Sequence, residues 1–457
     1  VHVQFIRREF RPMLALATPV VIAEVGWLTM GIVDTLMVGR LGGSAIAAVG
    51  LAGMLFFGVT VFSMGLLLGL DPLVAQAFGA RRLDECHRWL VDGLWLSGIA
   101  GLPSIGVVYA MDLSLGRWGF PPDVLAFTRP YLAILAWSLA PLMFYAAFRR
   151  YLQAMAIVRP VTITLVVANI VNALGNWLLI FGHLGAPVMG VRGSAYSTLI
   201  ARIFLAIGLL AVILRHESRV TPRLRDTPMH LDLARVRALF RLGFPAAGQL
   251  ALEVGVFAAA TALAGRVSAP ALAAHQIALN LAGLMFMVPY GLASAAAVRV
   301  GHAVGRHDGR GASIAGWTAI LLGATFMSAS ALVFLTAPGF LIRLFTPDAA
   351  VIGIGVSLLF VAAAFQLFDG VQGVTTGALR GLGDTRTAMY WNLGGHWLVG
   401  LPLGYYLCFG AGRGVVGLWW GLSTGLMICG VALLFTWIRK GAAQAPLARA
   451  SEIEGPA

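Results

Sequence analysis

The sequence predicts an all-helical integral membrane protein of twelve spans, assembled from two copies of one unit. Composition is the first observation behind this. Hydrophobic residues make up 59% and charged residues 11% of 457, with a mean hydropathy of +0.86, which excludes an ordinary soluble domain. Internal repetition is the second. Leu16-x-x-Pro19, Gly39-Arg40, Ala45-x-Ala47-Ala48 and Gly79 recur as Leu242-x-x-Pro245, Gly265-Arg266, Ala271-x-Ala273-Ala274 and Gly305, each 226 positions further on. Chance apolar similarity would not hold register at Gly, Pro and Arg, and repeats of this kind in membrane chains mark transporters whose halves move about a central site.

In chain order, the apolar segments of spanning length lie at 13–38, 45–70, 89–110, 130–148, 160–182, 190–214, 238–264, 271–298, 313–336, 351–376, 387–409 and 414–438. The first is long, lacks a cleavage site and carries Glu24 and Asp34, so it is expected to stay as a span rather than leave as a signal peptide. Glycine, 56 residues, is spread through the spans, where small residues let helices approach closely in lipid. The domains expected are a bundle at 1–214, a linker at 215–237 rich in Arg, Pro and Thr, a second bundle at 238–440 and a mobile tail at 441–457.

The net charge of +13 follows topology rather than nucleic acid. Arg7, Arg8, Arg11, Arg81, Arg82, Arg88, Arg149, Arg150, Arg159, the 215–241 connection, Arg306, Arg310, Arg380, Arg386, Arg439 and Lys440 fall on one side of the predicted spans. Fewer basic residues fall on the other, which places both termini in the cytoplasm of a plasma membrane. Cys86, Cys408 and Cys429 are odd in number and scattered, which argues against disulfides and a metal cluster. No nucleotide motif is present, since Ala378 to Asp384 lacks a preceding strand and a Gly-Lys-Ser/Thr.

Acids inside the spans are few: Glu24 and Asp34 in the first, Glu253 in the seventh, Asp369 in the tenth, with Asp71 near the end of the second. An ionised carboxylate near a helix centre costs about 2.5–3.5 kcal/mol on insertion scales, so each needs a wet cavity, a partner or a proton. The spans hold no Lys, and Arg202 is the one arginine read as lying deep, so a mobile cation or proton is the expected counter-charge. Gln366 and Gln372, at i−3 and i+3 from Asp369, make a polar patch around it. Asn172 and Asn176, one turn apart, can offer oxygens to a cation or hold a protonated Asp34. Phe257, at i+4 from Glu253, puts a ring beside a carboxylate, a pairing suited to an organic cation, and Trp27 bears the same relation to Asp34 at i−7. His275 is expected to make a helix-end hydrogen bond and Asp348 to cap the tenth span.

Several motifs together resemble the multidrug and toxic compound extrusion family of cation-coupled antiporters, over nearly the whole chain. They are Val33 to Gly42 (VDTLMVGRLG), Leu73 to Gly79 (LVAQAFG), Tyr151 to Ala154, Asn176 to Gly182 (NWLLIFG), Ala273 to Asn280 (AAHQIALN) and Gly377 to Gly381. Glu253 and Asp369 make the chain similar to the NorM branch. The resemblance implies two six-helix bundles related by a pseudo-two-fold axis along the membrane normal, a V-shaped outward-facing state, and Na⁺ or H⁺ entry driving export of organic cations by a functional monomer in a bacterial inner membrane. It further implies that Asp34, Glu253 and Asp369 take part in coupling, that Glu253 and Asp369 would hold Na⁺ if sodium is the ion, and that Phe257, Gln276 and Asp348 contact drugs. Glu24 stands where relatives often carry an amide, which implies a shift of coupling toward protons. Na⁺ and H⁺ stay open as coupling ions. No resident cofactor and no enzymatic activity are expected. A flippase for a lipid-linked saccharide is the alternative by architecture, and it would expect a basic rather than an acidic cavity.

Overall fold

The computed structural model describes residues 2–217 and 223–453, with side chains described for 9–217 and 223–441. Part of the expected linker, 218–222, lies outside the described residues. So does the end of the expected tail, 454–457, together with its side chains from 442. Among the described residues, ten helices are long and apolar enough to cross a membrane, and one bent pair makes an eleventh.

The spans are α1 (His2–Val38), α2 (Gly43–Gly79, with a tighter turn at Leu67–Gly69), α3 (Leu83–Ser114), the bent α4 (Pro122–Trp137 and Leu139–Ala154), α5 (Arg159–Phe181) and α6 (Val191–Glu217). They continue as α7 (Leu233–Val267), α8 (Ala269–Gly305), α9 (Gly309–Thr336) and α10 (Ala349–Gly381). Then come α11, from Arg386 to Gly410, and α12 (Gly414–Ile453). Local chemistry sets many of the ends. Ser268 accepts from Ala271 N at 3.2 Å, Asp308 from Gly311 N at 2.7 Å and Asp348 from Ala350 N at 2.8 Å, so α8, α9 and α10 each begin on an oxygen that satisfies an orphan amide. Gly182 closes α5 at φ 74°, a left-handed value that suits glycine.

Two spans depart from a plain helix. The halves of α4 meet at 42° beside Ser138, where Pro141 cannot donate to the carbonyl one turn back. The segment expected as the eleventh span, 387–409, is not one regular α-helix: Arg386–Asn392 and Leu401–Tyr405 are α, whereas Leu393–Gly400 and Tyr406–Gly410 are wound as wider π turns. Pro402 removes one donor from this ladder, and a looser winding re-satisfies the neighbouring carbonyls. Small residues seat it: a Cβ on Gly404 would lie 2.9 Å from Leu418 O, and one on Gly425 would lie 2.6 Å from Gly395 O.

The chain divides into two compact units, Ile22–Ala247 and Val1–Val21 with Gly248–Ala457. The divisions at 21/22 and 247/248 are 226 residues apart, so α1 and α7 are cut at the same place in the repeat. Within the first unit the start of α7 lies against α2, where a Cβ on Gly65 would meet Ala247 Cα at 2.6 Å. Within the second, the start of α1 lies against α8, where a Cβ on Gly291 would meet the backbone N of Val21 at 3.2 Å. Gly65 and Gly291 are again 226 apart.

Candidate functional site

In the unit Ile22–Ala247, Asp34 is buried in the last turns of α1 and is fully engaged. Asn176 Nδ2 donates to its Oδ1 at 2.6 Å and Thr198 Oγ1 to its Oδ2 at 3.1 Å. Asn176 Nδ2 also reaches Asn172 Oδ1 at 3.3 Å, and Ser197 Oγ donates to Asn172 O at 2.7 Å, so the one-turn spacing of the two asparagines locks α5 to α1 and α6. Arg202 on α6 is buried, interacts electrostatically with Asp34, donates to Ser138 at the α4 bend and lies 4.6 Å over the Phe56 ring.

Glu24 is ion-paired with Arg149, and Trp27 stacks on Tyr145 with ring centroids 6.3 Å apart. This corrects the expectation that Arg202 is the one deep arginine. α4 runs on to Ala154, which draws Arg149 and Arg150 inside, buried, where Arg150 lies 3.6 Å from the buried Asp71. Glu24 and Asp71 therefore have fixed counter-charges.

The unit containing Gly248–Ala457 is organised differently. Gln249 Nε2 donates to Glu253 Oε2 at 3.1 Å. The Gln372 amide lies within hydrogen-bonding range of the same carboxylate, and its Oε1 has no partner. Asp369, on α10, is 9% exposed and lies near enough to Glu253 for the two charges to repel. Among the described residues it accepts no hydrogen bond. Gln366 does not serve Asp369: its Nε2 donates to Ser330 Oγ at 2.7 Å and its Oε1 is left over. The expected patch of two glutamines around Asp369 is thus split: positions i−3 and i+3 lie about 120° apart around the helix, on either side of Asp369, so Gln366 turns to Ser330 and Gln372 to Glu253.

Phe257 is half-buried one turn beyond Glu253, its ring 6.5 Å from the His396 imidazole. Gln276 is exposed, and Asp348 is exposed and caps α10; neither bonds to the acids. His275 corrects an expectation. It does not close a helix end but is buried in α8, accepting from Trp419 Nε1 at Nδ1 (2.9 Å), so that its Nε2 donates to Thr261 Oγ1 (2.9 Å), which donates to Phe257 O.

Sequence reasoning missed Asn392 and His396 on α11. Both are buried, Asn392 with its amide in hydrogen-bonding range of Glu253 and His396 beside the Phe257 ring, and Asn392 Oδ1 and His396 Nε2 lack partners. The signal was available: two polar residues four apart in an apolar span, the same spacing that singled out Asn172 and Asn176.

A helical membrane chain of eleven to twelve spans, with two copies of one unit and buried acids in each, defines a membrane transporter rather than an enzyme. Comparison with known proteins gives the family. The MatE family model matches residues 19–178 and again 245–406, two segments that start 226 residues apart. The chain belongs to the MATE family of transporters. It is 39% identical over 449 residues to the probable multidrug resistance protein NorM of Mesorhizobium japonicum, covering 97% of this chain and 96% of that protein. It is 36% identical to the multidrug resistance protein NorM of Burkholderia vietnamiensis, covering 92% of each. Among solved structures, a MATE in the bent conformation superposes with a TM-score of 0.88 at 19% identity, over 97% of this chain and 98% of that one. The eukaryotic MATE transporter AtDTX14 gives 0.84 at 20% identity, over 96% and 99%. At these identities the structures attest the fold.

Proposed function

We propose that the chain is a NorM-like multidrug efflux antiporter, which exports organic cations in exchange for Na⁺ or H⁺ with both termini in the cytoplasm. The observation that carries this reading is the contrast between the acids. Asp34, Glu24 and Asp71 are tied by hydrogen bonds or arginines, whereas Asp369 has no hydrogen-bond donor among the described residues and a second carboxylate, Glu253, near it. Two negative charges so placed call for a positive guest, and that guest can be exchanged because no side chain already fills the role.

Competition for Glu253 and Asp369 is enough for antiport: a coupling ion and an organic cation cannot both neutralise the same pair. Whichever is bound biases the inward-open and outward-open states by its unequal interaction with them. The membrane potential adds about 2.3 kcal/mol per charge per 100 mV in favour of cation entry. If the ion is Na⁺, Glu253, Asp369 and the spare Gln372 Oε1 offer the oxygen ligands a hard cation takes. Asp34, joined to Asn172, Asn176 and Thr198, would take part as a site whose donors already hold its charge.

The test is efflux of a fluorescent organic cation from proteoliposomes under separately imposed pH and Na⁺ gradients, with the parent and Asp369→Asn. Export driven by one gradient and lost in the variant supports the reading. Export that persists at the parental rate in Asp369→Asn overturns it.

A further inference from the structure

The Glu253 and Asp369 pair has a third wall, on α11. Trp397 Nε1 donates to Leu252 O at 2.9 Å, which pins the π-wound turn Leu393–Gly400 against α7 at the level of Glu253. Cys429 of α12 sets the tautomer of His396. Its single thiol hydrogen goes to Trp391 O at 3.0 Å, so the 3.5 Å contact between Cys429 Sγ and His396 Nδ1 requires hydrogen on Nδ1. Nε2 is then a bare lone pair, and it is buried without a partner. One turn earlier Asn392 lies beside Glu253 with its Oδ1 also unused.

Bare acceptors on α11, Asn392 beside Glu253 and His396 one turn further on beside Phe257, are the complement of a cation that carries hydrogens. A hard metal ion finds its oxygens at the acids and the amides and gains little from an imidazole nitrogen. A quaternary ammonium has no hydrogen to give. A protonated amine has both the charge and the donor, and a hydrogen bond to a charged group is stronger than a neutral one. We propose that His396 and Asn392 form a recognition subsite for protonated amines, in which His396 Nε2 accepts the N–H of cargo whose charge is met by Glu253 and Asp369. This deepens the proposed function and rests on its claim that the acid pair receives an organic cation. The wider π turn serves the same end, since it rotates His396 relative to the α-helical register of Asn392.

The experiment compares one fluorescent dye in two forms, bearing either a dialkylammonium tail charged at neutral pH or its trimethylammonium analogue, bound to purified full-length protein and followed by anisotropy. His396→Phe is expected to weaken the N–H form by about tenfold or more and to leave the trimethylammonium form within about twofold. His396→Gln, which restores an acceptor, is expected to recover most of the loss. Equal loss for both dyes, or no loss for either, overturns the subsite. The trimethylammonium form also serves as the internal check on folding. Asp369→Asn separates the two readings: if it leaves binding of both dyes unchanged, the acid-pair reading falls and this one with it, whereas a failure confined to the His396 variants removes only the subsite.

Discussion

Glu9 on α1 and Arg235 on α7 occupy the same position in the two copies, 226 residues apart, and bear opposite charges. Glu9 receives Arg299 Nε at 2.5 Å and Nη2 at 2.8 Å. Arg235 donates to Asp92 at 2.7 Å and Glu85 at 3.1 Å, with its guanidinium 3.9 Å from the Trp89 ring centre. Duplication has kept the place of the anchor but not its sign. Each pair fastens the beginning of a repeat's first helix within the compact unit made mostly by the other copy.

The α7 anchor has the more demanding geometry, because Asp92 is only 3% exposed. Arg235→Gln leaves a buried carboxylate without its charge partner and is expected to cost about 2–3 kcal/mol, the lower part of the range for a broken buried pair because Arg235 itself reaches solvent. Adding Asp92→Asn should recover about half of that. The check is the melting temperature of the purified protein in detergent; a double variant no more stable than the single would show that the charge pair is not what anchors α7.

Much of this architecture was legible in the sequence, and the reasons are physical. Lipid forces spans to be long and apolar, and the repeat survives where backbones meet, at Gly65 and Gly291 among others. What was hidden depends on distant partners or on how far a helix overruns its apolar stretch. Arg149 and Arg150 follow the hydrophobic run of α4, so a loop was the natural reading, yet the helix continues and turns them onto Glu24 and Asp71. His275 meets Trp419 across 144 residues, a partnership no local pattern records. The split of Gln366 from Gln372 depends on Ser330 of α9, also outside any local window.

Asn176 is the principal donor to Asp34, and its replacement by Ala should leave that buried carboxylate with only Thr198 and Asn172 as side-chain donors. The expected loss is about 1–3 kcal/mol, the desolvation penalty of a buried group deprived of its bond. Asp34→Asn in the Asn176→Ala background removes the charge that needed the donor and should be less destabilised than Asn176→Ala alone. Denaturant or thermal titration of the three variants decides this; equal stability of Asn176→Ala and the parent would refute it.

Gly65 and Gly291 offer a test of the repeat itself. A methyl on Gly65 would press on Ala247 backbone, and one on Gly291 on Val21, so each Ala substitution should cost about 1–3 kcal/mol through overpacking. Gly50, with nothing within 4 Å of an added Cβ, is the control, and Gly50→Ala is expected to be neutral or slightly stabilising as an unfolded-state effect. Thermal melts of the three single variants suffice, and a drop at one glycine alone would show that the two crossings are not equivalent.

Asp384, in the turn between α10 and α11, gives the pH dependence with a defined sign. Burial alone would raise its carboxyl, but the Lys440 ammonium ion-paired with it, the Thr387 hydroxyl at 2.6 Å and the Thr387 amide at 3.2 Å hold it below the ordinary aspartate value. A carboxylate whose folded value lies below its unfolded one stabilises the fold fully above the unfolded value and loses that contribution as pH falls through the folded one. The contribution should therefore be constant from neutral pH down to about pH 5 and decline progressively below that, vanishing only once the pH lies under the lowered folded value. Asp384→Asn should lower the melting temperature at pH 7 and show less further loss between pH 5 and pH 3 than the parent. Lys440→Gln should reproduce part of the neutral-pH loss, because it removes the ammonium while leaving both Thr387 donors in place; identical pH–melting curves for all three proteins would rule out this turn as a source of acid sensitivity.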